Sequence, residues 1–467
     1  MPLILGAQSA VAGGDVVTNS CRFNSADSPT LTKTQVAGSR TKATFSVWVK
    51  RGDLSEDTLY TQFANGTNFT RFRFSSDTIN CNDRTSGVEN YYFTTNAVYR
   101  DPGAWYHVVV AIDTTQVTDT DRLNCWVNGV LQTFASQSYP TKDANMNFNQ
   151  TGDTTQVGAN ELPADYFDGY LAEVVWIDGT QYAASDFGEF DSDSPTIWKP
   201  KKISGLTFGN NGFYLDFEDS ANLGNDANGG TDLTETNLDA TDQATDTPDN
   251  NFSTANPLNN PNAGMSWSNG NTTVTNSGQW RGVTSSLGMR SGKWYTEFKI
   301  TGTDAQSGGV FGIGKAGVST STYYMESANN GYASKYAYGY ERWMANSSKT
   351  NNNSSTSGYG TVMAENDIGM VAFDADNGTV WTGVNGTWDG SATEGEIEAG
   401  TTTNAMFSGI VMDDAFFFTW SIEGSAVTPY INCNFGNPPY ANSSDEPDED
   451  GYGAFEYAPP SGYFALC

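Results

Sequence analysis

Short runs of alternating side chains, closed by tight turns, constrain this chain more than any other feature. In "ATFSVWVKRG" Phe45, Val47 and Val49 fall on one side, and Ser46 and Trp48 on the other. That is the period-two spacing of a pleated strand with one face in a core. "AWYHVVVAIDTTQ" and "LNCWVNGVLQTF" repeat it on either side of a polar turn, "VTDTDR", and "YFDGYLAEVVWIDGTQ" adds a further strand. Asn128-Gly129 sits inside one such run, and Asn and Gly both tolerate φ > 0, so it marks a hairpin. Only "AASDFGEF", Ala183 to Phe190, reads as helical. Thr, Val, Tyr, Phe and Trp are plentiful while the helix-favouring Lys, Leu and Glu are scarce. The expected fold class is all-β, and 467 residues exceed what one small core organises.

Charge and cysteine usage narrow the partners. Fifty-four acidic residues against 23 basic ones leave a net charge of −31, which repels nucleic acid and anionic membranes. The plain reading is a solubility device for a secreted or particle-bound protein. No segment approaches the ~18 unbroken apolar residues of a membrane span. The opening "MPLILGAQSAVAGG" has too short an apolar stretch, and no basic flank, for an export signal. Cys21, Cys81, Cys125, Cys433 and Cys467 are odd in number and contain no CxxC, which fits free thiols in a reducing cytosol. A surface-type composition without a readable export signal points to assembly inside a cell and release by another route, as a virus particle does.

Along the chain, residues 1–20 with Gly6, Gly13 and Gly14 are read as a docking segment. Residues 21–238 form a first domain. Residues 239–263, "DATDQATDTPDNNFSTANPLNNPNA", are polar, Pro/Asn-rich and aperiodic, and read as a linker packed along a surface. Residues 264–467 restart the strand pattern as a second sandwich. Within it, "DIGMVAFDADNGTVWTGVNGTW" (Asp367 to Trp388) has the oxygens of a calcium loop, but Asn385 stands where a twelfth-position Glu would be needed. It reads instead as strands and turns, with Val371 and Phe373 toward a core and Asn377-Gly378 and Asn385-Gly386 at turn positions.

Two resemblances follow from these pieces. "FSVWVKRG", "AWYHVVVAID", "LNCWVNGVLQTF" and "FDGYLAEVVWID" resemble, in order and spacing, the laminin-G-like branch of the concanavalin A-like jelly rolls over Cys21 to Trp198. "GFYLDFEDSANLGNDANGGTD" resembles the strand that normally opens such a domain, which implies a late strand near 213–217 returning to the first sandwich. "SGKWYTEFKI", "FGIGKAG", "YAYGY", the Asp367–Trp388 stretch, "NCNFG" and "YAPPSGYFAL" resemble a SPRY domain over Met265 to Leu466, with an acidic insertion at 441–455. The pairing resembles structural proteins of tailed bacteriophages. It implies head or tail fibres, decoration proteins and often trimers.

Candidate chemistry is sparse. His107 is the single histidine, so no multi-His zinc site can form and a catalytic triad has one candidate base; a half-buried structural role in its strand is expected. "GIGKAG" (Gly312 to Gly317) fits a dinucleotide pattern only if a helix follows it, and none is periodic there. Glu189, Asp191 and Asp193 approach the paired carboxylates of a glycanase. Calcium is the one cofactor allowed for, at Asp219, Asn225 and Asp226, with Asp119 and Asp121 as a second acidic loop. Glycan binding points to Tyr323, Tyr324, Asn329, Asn330, Tyr332, Tyr336 and Trp343, aromatic faces beside amides.

The expectation is a non-enzymatic virion component, a head or tail fibre or adhesin-type protein, folded in the host cytoplasm. Its partners would be other virion proteins and host-surface glycans, with self-association as a homo-oligomer such as a trimer. A decoration or cement protein is the alternative, and a glycan depolymerase a lesser one.

Overall fold

Alternation along Lys42–Arg51 buries Phe45, Val47 and Val49 in the main core of the first half, and turns Ser46, Trp48 and Lys50 to the opposite face. The neighbouring strand Trp105–Asp113 matches it, with Val108, Val110 and Ile112 inward. The structure, a computed structural model, describes residues 17–162, 164–259, 265–276, 281–302, 309–315, 337–343, 346–351, 354–422 and 430–467. Described residues up to Asn251 cluster into one unit, and those from Phe252 onward into another.

The first unit begins with β1 (Ser20–Phe23), β2 (Thr30–Thr34), β3 (Lys42–Arg51), β4 (Asp57–Asn65), β5 (Asn68–Ser75) and β6 (Thr78–Thr85). Then come β7 (Val88–Thr95), β8 (Trp105–Asp113), β9 (Leu123–Val127), β10 (Val130–Leu131), β11 (Phe134–Ser138) and β12 (Thr154–Val157). It ends with β13 (Gly169–Asp178), β14 (Gly188–Phe190), β15 (Trp198–Pro200), β16 (Phe213–Leu215), β17 (Thr234–Thr236) and β18 (Gln243–Ala244). One sheet runs β10-β9-β8-β3-β13-β1-β18, with β16 also on β13; the other runs β11-β7-β6-β5-β4-β12-β2-β17. Their facing sides share one aromatic core in which Tyr60 stacks on Phe45 and Trp176 at 4.9 Å. Each such side chain contributes roughly 1.5–3 kcal/mol by leaving water.

Three segments differ from their sequence reading or refine it. The late "GFYLDF" piece pairs Leu215 with Val174 and Phe213 with Trp176, inside the first unit. Asp239–Asn251 is not a spacer but a working part of that unit. Gln243 and Ala244 pair with Cys21 and Ser20, and buried Asp246 meets Lys50 Nζ at 2.6 Å and Trp105 Nε1 at 2.9 Å. It lacks periodicity because polar bonds, not an apolar stripe, hold it. The expected helix at Ala183–Phe190 is a single 3-10 turn, Ala184–Asp186, running straight into β14; too few residues are available to offset helix nucleation.

The second unit holds β19 (Met265–Ser268), β20 (Thr273–Asn276), β21 (Arg281–Thr284), β22 (Lys293–Thr301), β23 (Gly309–Lys315), β24 (Ala337–Trp343), β25 (Asn346–Asn351) and β26 (Ser354–Ser357). These precede β27 (Ile368–Asp374), β28 (Thr379–Val384), β29 (Thr387–Trp388), α1 (Glu394–Glu398), β30 (Phe416–Ile422), β31 (Tyr430–Asn434) and β32 (Phe464–Ala465). Its sheets run β19-β20-β31-β22-β27-β28-β29, with β32 parallel to β22, and β21-β30-β23-β24-β25-β26. Phe298, Phe311, Val371, Phe373, Phe418 and Trp420 belong to the core they share. Met370 and Ala372, on the other face of β27, are buried as well, beneath a second cluster with Tyr295, Trp381, Phe455, Tyr463 and Ala465. The acidic insertion takes part in that cover. Asp448 accepts from Tyr452 N at 2.9 Å and Ala465 N at 2.8 Å, and Glu446 and Phe455 exchange backbone bonds of 2.9 Å.

Turn chemistry behaves unequally. Asn128-Gly129 (φ 47° and 75°) and Asn385-Gly386 (φ 48° and 76°) each link directly paired residues, as two-residue hairpins of the primed type do. At Asp374–Thr379 only Gly378 is left-handed, at φ 59°. Asn377 was expected to share that conformation; it stays out because its N–H and Nδ2 bond both carboxylate oxygens of Asp374, at 2.9 and 2.8 Å. The chain is thus all-β in two sheet sandwiches, apart from α1 and scattered 3-10 turns.

Candidate functional site

The two sheets of the first unit treat their outer faces differently. Outside β8, β3 and β13 lie two apolar clusters, one with Trp48, Trp105, Tyr170 and Ala244, the other with Val109, Val175, Ile177 and Phe187. That face is sealed. The outer face of the other sheet is polar. On β5 the inward residues are Phe72 and Phe74, so Phe69, Arg71 and Arg73 point out; on β6 Asn80, Asn82 and Arg84 do, and on β7 Tyr92 and Thr94. The Phe69 ring lies under two guanidinium groups, Arg71 at 5.0 Å and Arg84 at 5.9 Å.

Strand register sorts this face into rows. Arg73 stands opposite Asn80, and Asn80 opposite Thr94. This row is hydrogen-bonded across: Arg73 Nε donates to Asn80 Oδ1 at 3.3 Å, and Asn80 Nδ2 to Thr94 Oγ1 at 3.1 Å. In the next row Arg71 stands opposite Asn82 and Asn82 opposite Tyr92. Here Arg71 Nη1 donates to both Glu161 carboxylate oxygens, at 3.3 and 3.2 Å, while Arg71 Nε and Asn82 Oδ1 have no hydrogen-bond partner among the described residues. Glu56 and Glu89 neutralise Arg73 and Arg84 at 3.0 and 2.6 Å. The face is therefore close to neutral, rich in planar donors and acceptors, with one aromatic ring at its side. Sequence reasoning passed over these residues, although the alternating "NFTRFRFS" carries the signal.

His107 is fully buried, its ring 4.6 Å from that of Trp48. Trp198 Nε1 donates to Nδ1 at 2.9 Å, and Ser46 Oγ is 2.9 Å from Nε2. An indole N–H can only donate. The neutral ring must then carry its proton on Nε2 and give it to Ser46, the reverse of what activates a serine nucleophile. Burial holds the imidazole pKa down to about 3. The histidine is a structural joint.

The other expected groups are placed as follows. Glu189 is exposed on β14, and Asp191 follows it; both face Lys199, at 3.8 and 3.1 Å. The backbone N–H of Ser194, then Lys199 and the N–H of Asp193, hold the Asp191 carboxyl below its usual range. Gly312 to Lys315 of the glycine-rich pattern lie within β23, with Gly312, Ile313 and Gly314 paired on both sides. Tyr323, Tyr324, Asn329, Asn330, Tyr332 and Tyr336 lie outside the described residues, as do Gly6, Gly13 and Gly14. The backbone of Trp343 ends β24 opposite Asn346.

Calcium takes six to eight oxygens. Asp226 Oδ1 already accepts from Tyr214 N at 2.9 Å and Asn228 N at 3.1 Å, and its Oδ2 is buried against Gly230. Asp219 is exposed and bonds Ala221 N at 3.0 Å; Asn225 donates its N–H to Asn222 O at 3.0 Å. Asp226 Oδ2 is a buried oxygen with no hydrogen-bond partner among the described residues, but one such oxygen beside an exposed Asp219 falls short of a calcium cage. Asp119 and Asp121 are exposed on a 3-10 turn. Among the described residues no group of three or more His, Cys, Asp or Glu side chains is placed to hold a metal. All five cysteines are free thiols.

One buried acid was not foreseen. Glu173 sits at a bulge in β13 with φ 50°, and both its oxygens accept from Tyr214 OH, at 2.9 and 2.7 Å. Burial pushes its carboxyl up to about 8, against the Tyr214 hydrogen bond.

A jelly-roll-like sandwich with one sealed and one polar outer face defines the class, and a family match over part of the chain agrees with it. Residues 23–183 match the family described as the concanavalin A-like lectin/glucanases superfamily. Solved structures with likeness to parts of the chain include the SPRY domain of human HERC1 (14% identity, 35% of this chain and 87% of that one, TM-score 0.26). A native heptameric SAP-like pentraxin from Limulus polyphemus is similar at 16% identity (35% and 77%, TM-score 0.27). The TRIM65 PSpry domain is similar at 10% (38% and 90%, TM-score 0.27). No curated protein matches the chain. Among the described residues no helix is long and apolar enough to cross a membrane.

Proposed function

We propose that this chain is a non-enzymatic structural component of a tailed-phage particle, a head or tail fibre or adhesin-type protein that binds host-surface glycans. The observation that carries the binding reading is the polar outer face of β5, β6 and β7, where arginines, amides and Tyr92 line a sheet whose opposite number is sealed by apolar clusters. Planar donors and acceptors beside an aromatic ring suit sugar hydroxyls and the apolar side of a sugar ring. The phage assignment rests on the sequence resemblance, and so does self-association as a homotrimer folded in the host cytoplasm before assembly. Locating the subunit by electron microscopy in the particle, with binding of the purified protein to host cells, tests the reading; a protein absent from every particle overturns it.

A second reading has its own observation. Val130 and Leu131 of the edge strand β10 are about half exposed, as is Phe190, whose ring lies 4.9 Å from that of Trp198. Exposed apolar side chains on an edge strand suit contact with a neighbouring protein. A decoration or cement protein would use it and bind no glycan.

A further inference from the structure

We infer that the Arg71–Asn82 row is a saccharide subsite in which a neutral sugar hydroxyl inserts between Arg71 Nε and Asn82 Oδ1, and this rests on the glycan-binding reading above. The case begins with an internal comparison. Arg73 and Asn80 are the same two residue types, in the same cross-strand register, two residues further along β5. They bond each other directly at 3.3 Å. Arg71 and Asn82 do not, although the two residues are only 8% and 5% exposed and the unpaired atoms are a donor and an acceptor. Leaving such a pair open costs stability, so its persistence asks for a third group.

The chemistry of the gap selects that group. Arg71 Nε–H can only donate, and Asn82 Oδ1 can only accept. The inserted group must accept and donate at once. A carboxylate offers no proton, and an ammonium offers no lone pair, whereas a hydroxyl does both. The charge pairing of Arg71 runs through Nη1, which donates to both Glu161 oxygens, and its guanidinium lies over the Phe69 ring. Glu161 neutralises the guanidinium and leaves its Nε–H to a neutral acceptor. Tyr92, half-buried and opposite Asn82, offers a ring for the sugar's apolar side.

The test uses the full chain and saturation-transfer NMR with titration. Methyl glycosides of glucose, galactose, mannose and rhamnose serve as probes, with glucuronate as the charged comparison. The expected result is binding of at least one neutral glycoside, preferred over glucuronate. Arg71→Lys, which keeps the charge but lacks Nε, and Asn82→Ala should each weaken it about tenfold, one lost hydrogen bond's worth. Tyr92→Ala, at a half-exposed position, keeps the question answerable where a buried variant fails to fold, and should weaken binding as well. Neutral glycoside binding that survives all folded variants overturns this subsite and leaves the glycan-binding reading standing. Absence of binding to every probe overturns both.

Discussion

Trp198 Nε1 donates a 2.9 Å hydrogen bond to His107 Nδ1, and this bond dictates which nitrogen of the only histidine carries a proton. It joins two residues 91 positions apart and places an indole and an imidazole in stacked register, 5.9 Å between centroids. Trp198→Phe removes the donor and strands a buried acceptor. A loss of about 1–3 kcal/mol is expected, read by chemical denaturation. Nitrogen NMR of the wild-type ring should show the proton on Nε2 throughout pH 5–9; a ring protonated on Nδ1 contradicts the assignment.

Glu173 makes stability depend on pH. Its folded pKa, about 8, lies above the ordinary 4.5, so the folded state holds a proton that the unfolded chain has released. The sign follows: the group costs nothing below pH 4.5, the cost grows as pH rises from there toward 8, and it levels off above. Glu173→Gln should therefore match wild type near pH 4.5 and exceed it by a few kcal/mol, on the order of 2–4, at pH 8.5. A stability difference that is flat across pH 4.5–8.5 would falsify this account.

Asp246 closes the first unit from a stretch that reads like a spacer. Both partners of the Lys50–Asp246 pair are at most 1% exposed. Asp246→Ala leaves the ammonium buried, and breaking such pairs costs about 3–5 kcal/mol. Thermal unfolding should show a lowered midpoint for the first unit. Deleting residues 239–251 should abolish its cooperative transition.

Glu297 anchors the C-terminal cover of the second unit. Its Oε2 accepts from Glu456 N at 2.9 Å and Asn434 Nδ2 at 3.2 Å, and its Oε1 from Tyr457 N at 2.8 Å and Tyr295 OH at 3.0 Å. Glu297→Ala should loosen residues 446–467. Hydrogen exchange at 456 and 457 is expected to accelerate about tenfold or more, since each charged hydrogen bond contributes ~1.5–3 kcal/mol. Unchanged protection there would mean that the apolar cluster alone holds the segment.

Asn128 and Asn385 both hold φ near +48° in two-residue turns. Replacing either with Ala should cost about 1 kcal/mol more than replacing it with Gly, since both changes remove the Oδ1 that accepts from His107 N at 2.7 Å or from Ile368 N at 2.9 Å. Equal costs for Ala and Gly would show that the amide side chain, not the backbone, matters there.

Much of this was legible without coordinates, wherever the cause is local. Asn128-Gly129 turns because of what two adjacent backbones tolerate, and Phe45, Val47 and Val49 share a side because a strand alternates. The side facing away is another matter. Ser46 and Met370 both sit opposite a core-facing neighbour, and a pattern of period two says nothing of what returns to cover them. Trp198 comes back over His107, and Phe455 and Tyr463 over Met370. Among the described residues nothing bonds Arg71 Nε to Asn82 Oδ1, although their twins, Arg73 and Asn80, bond each other. Alternation is a property of neighbouring bonds and can be read along the chain. Coverage belongs to segments far apart in sequence, and is settled when they pack.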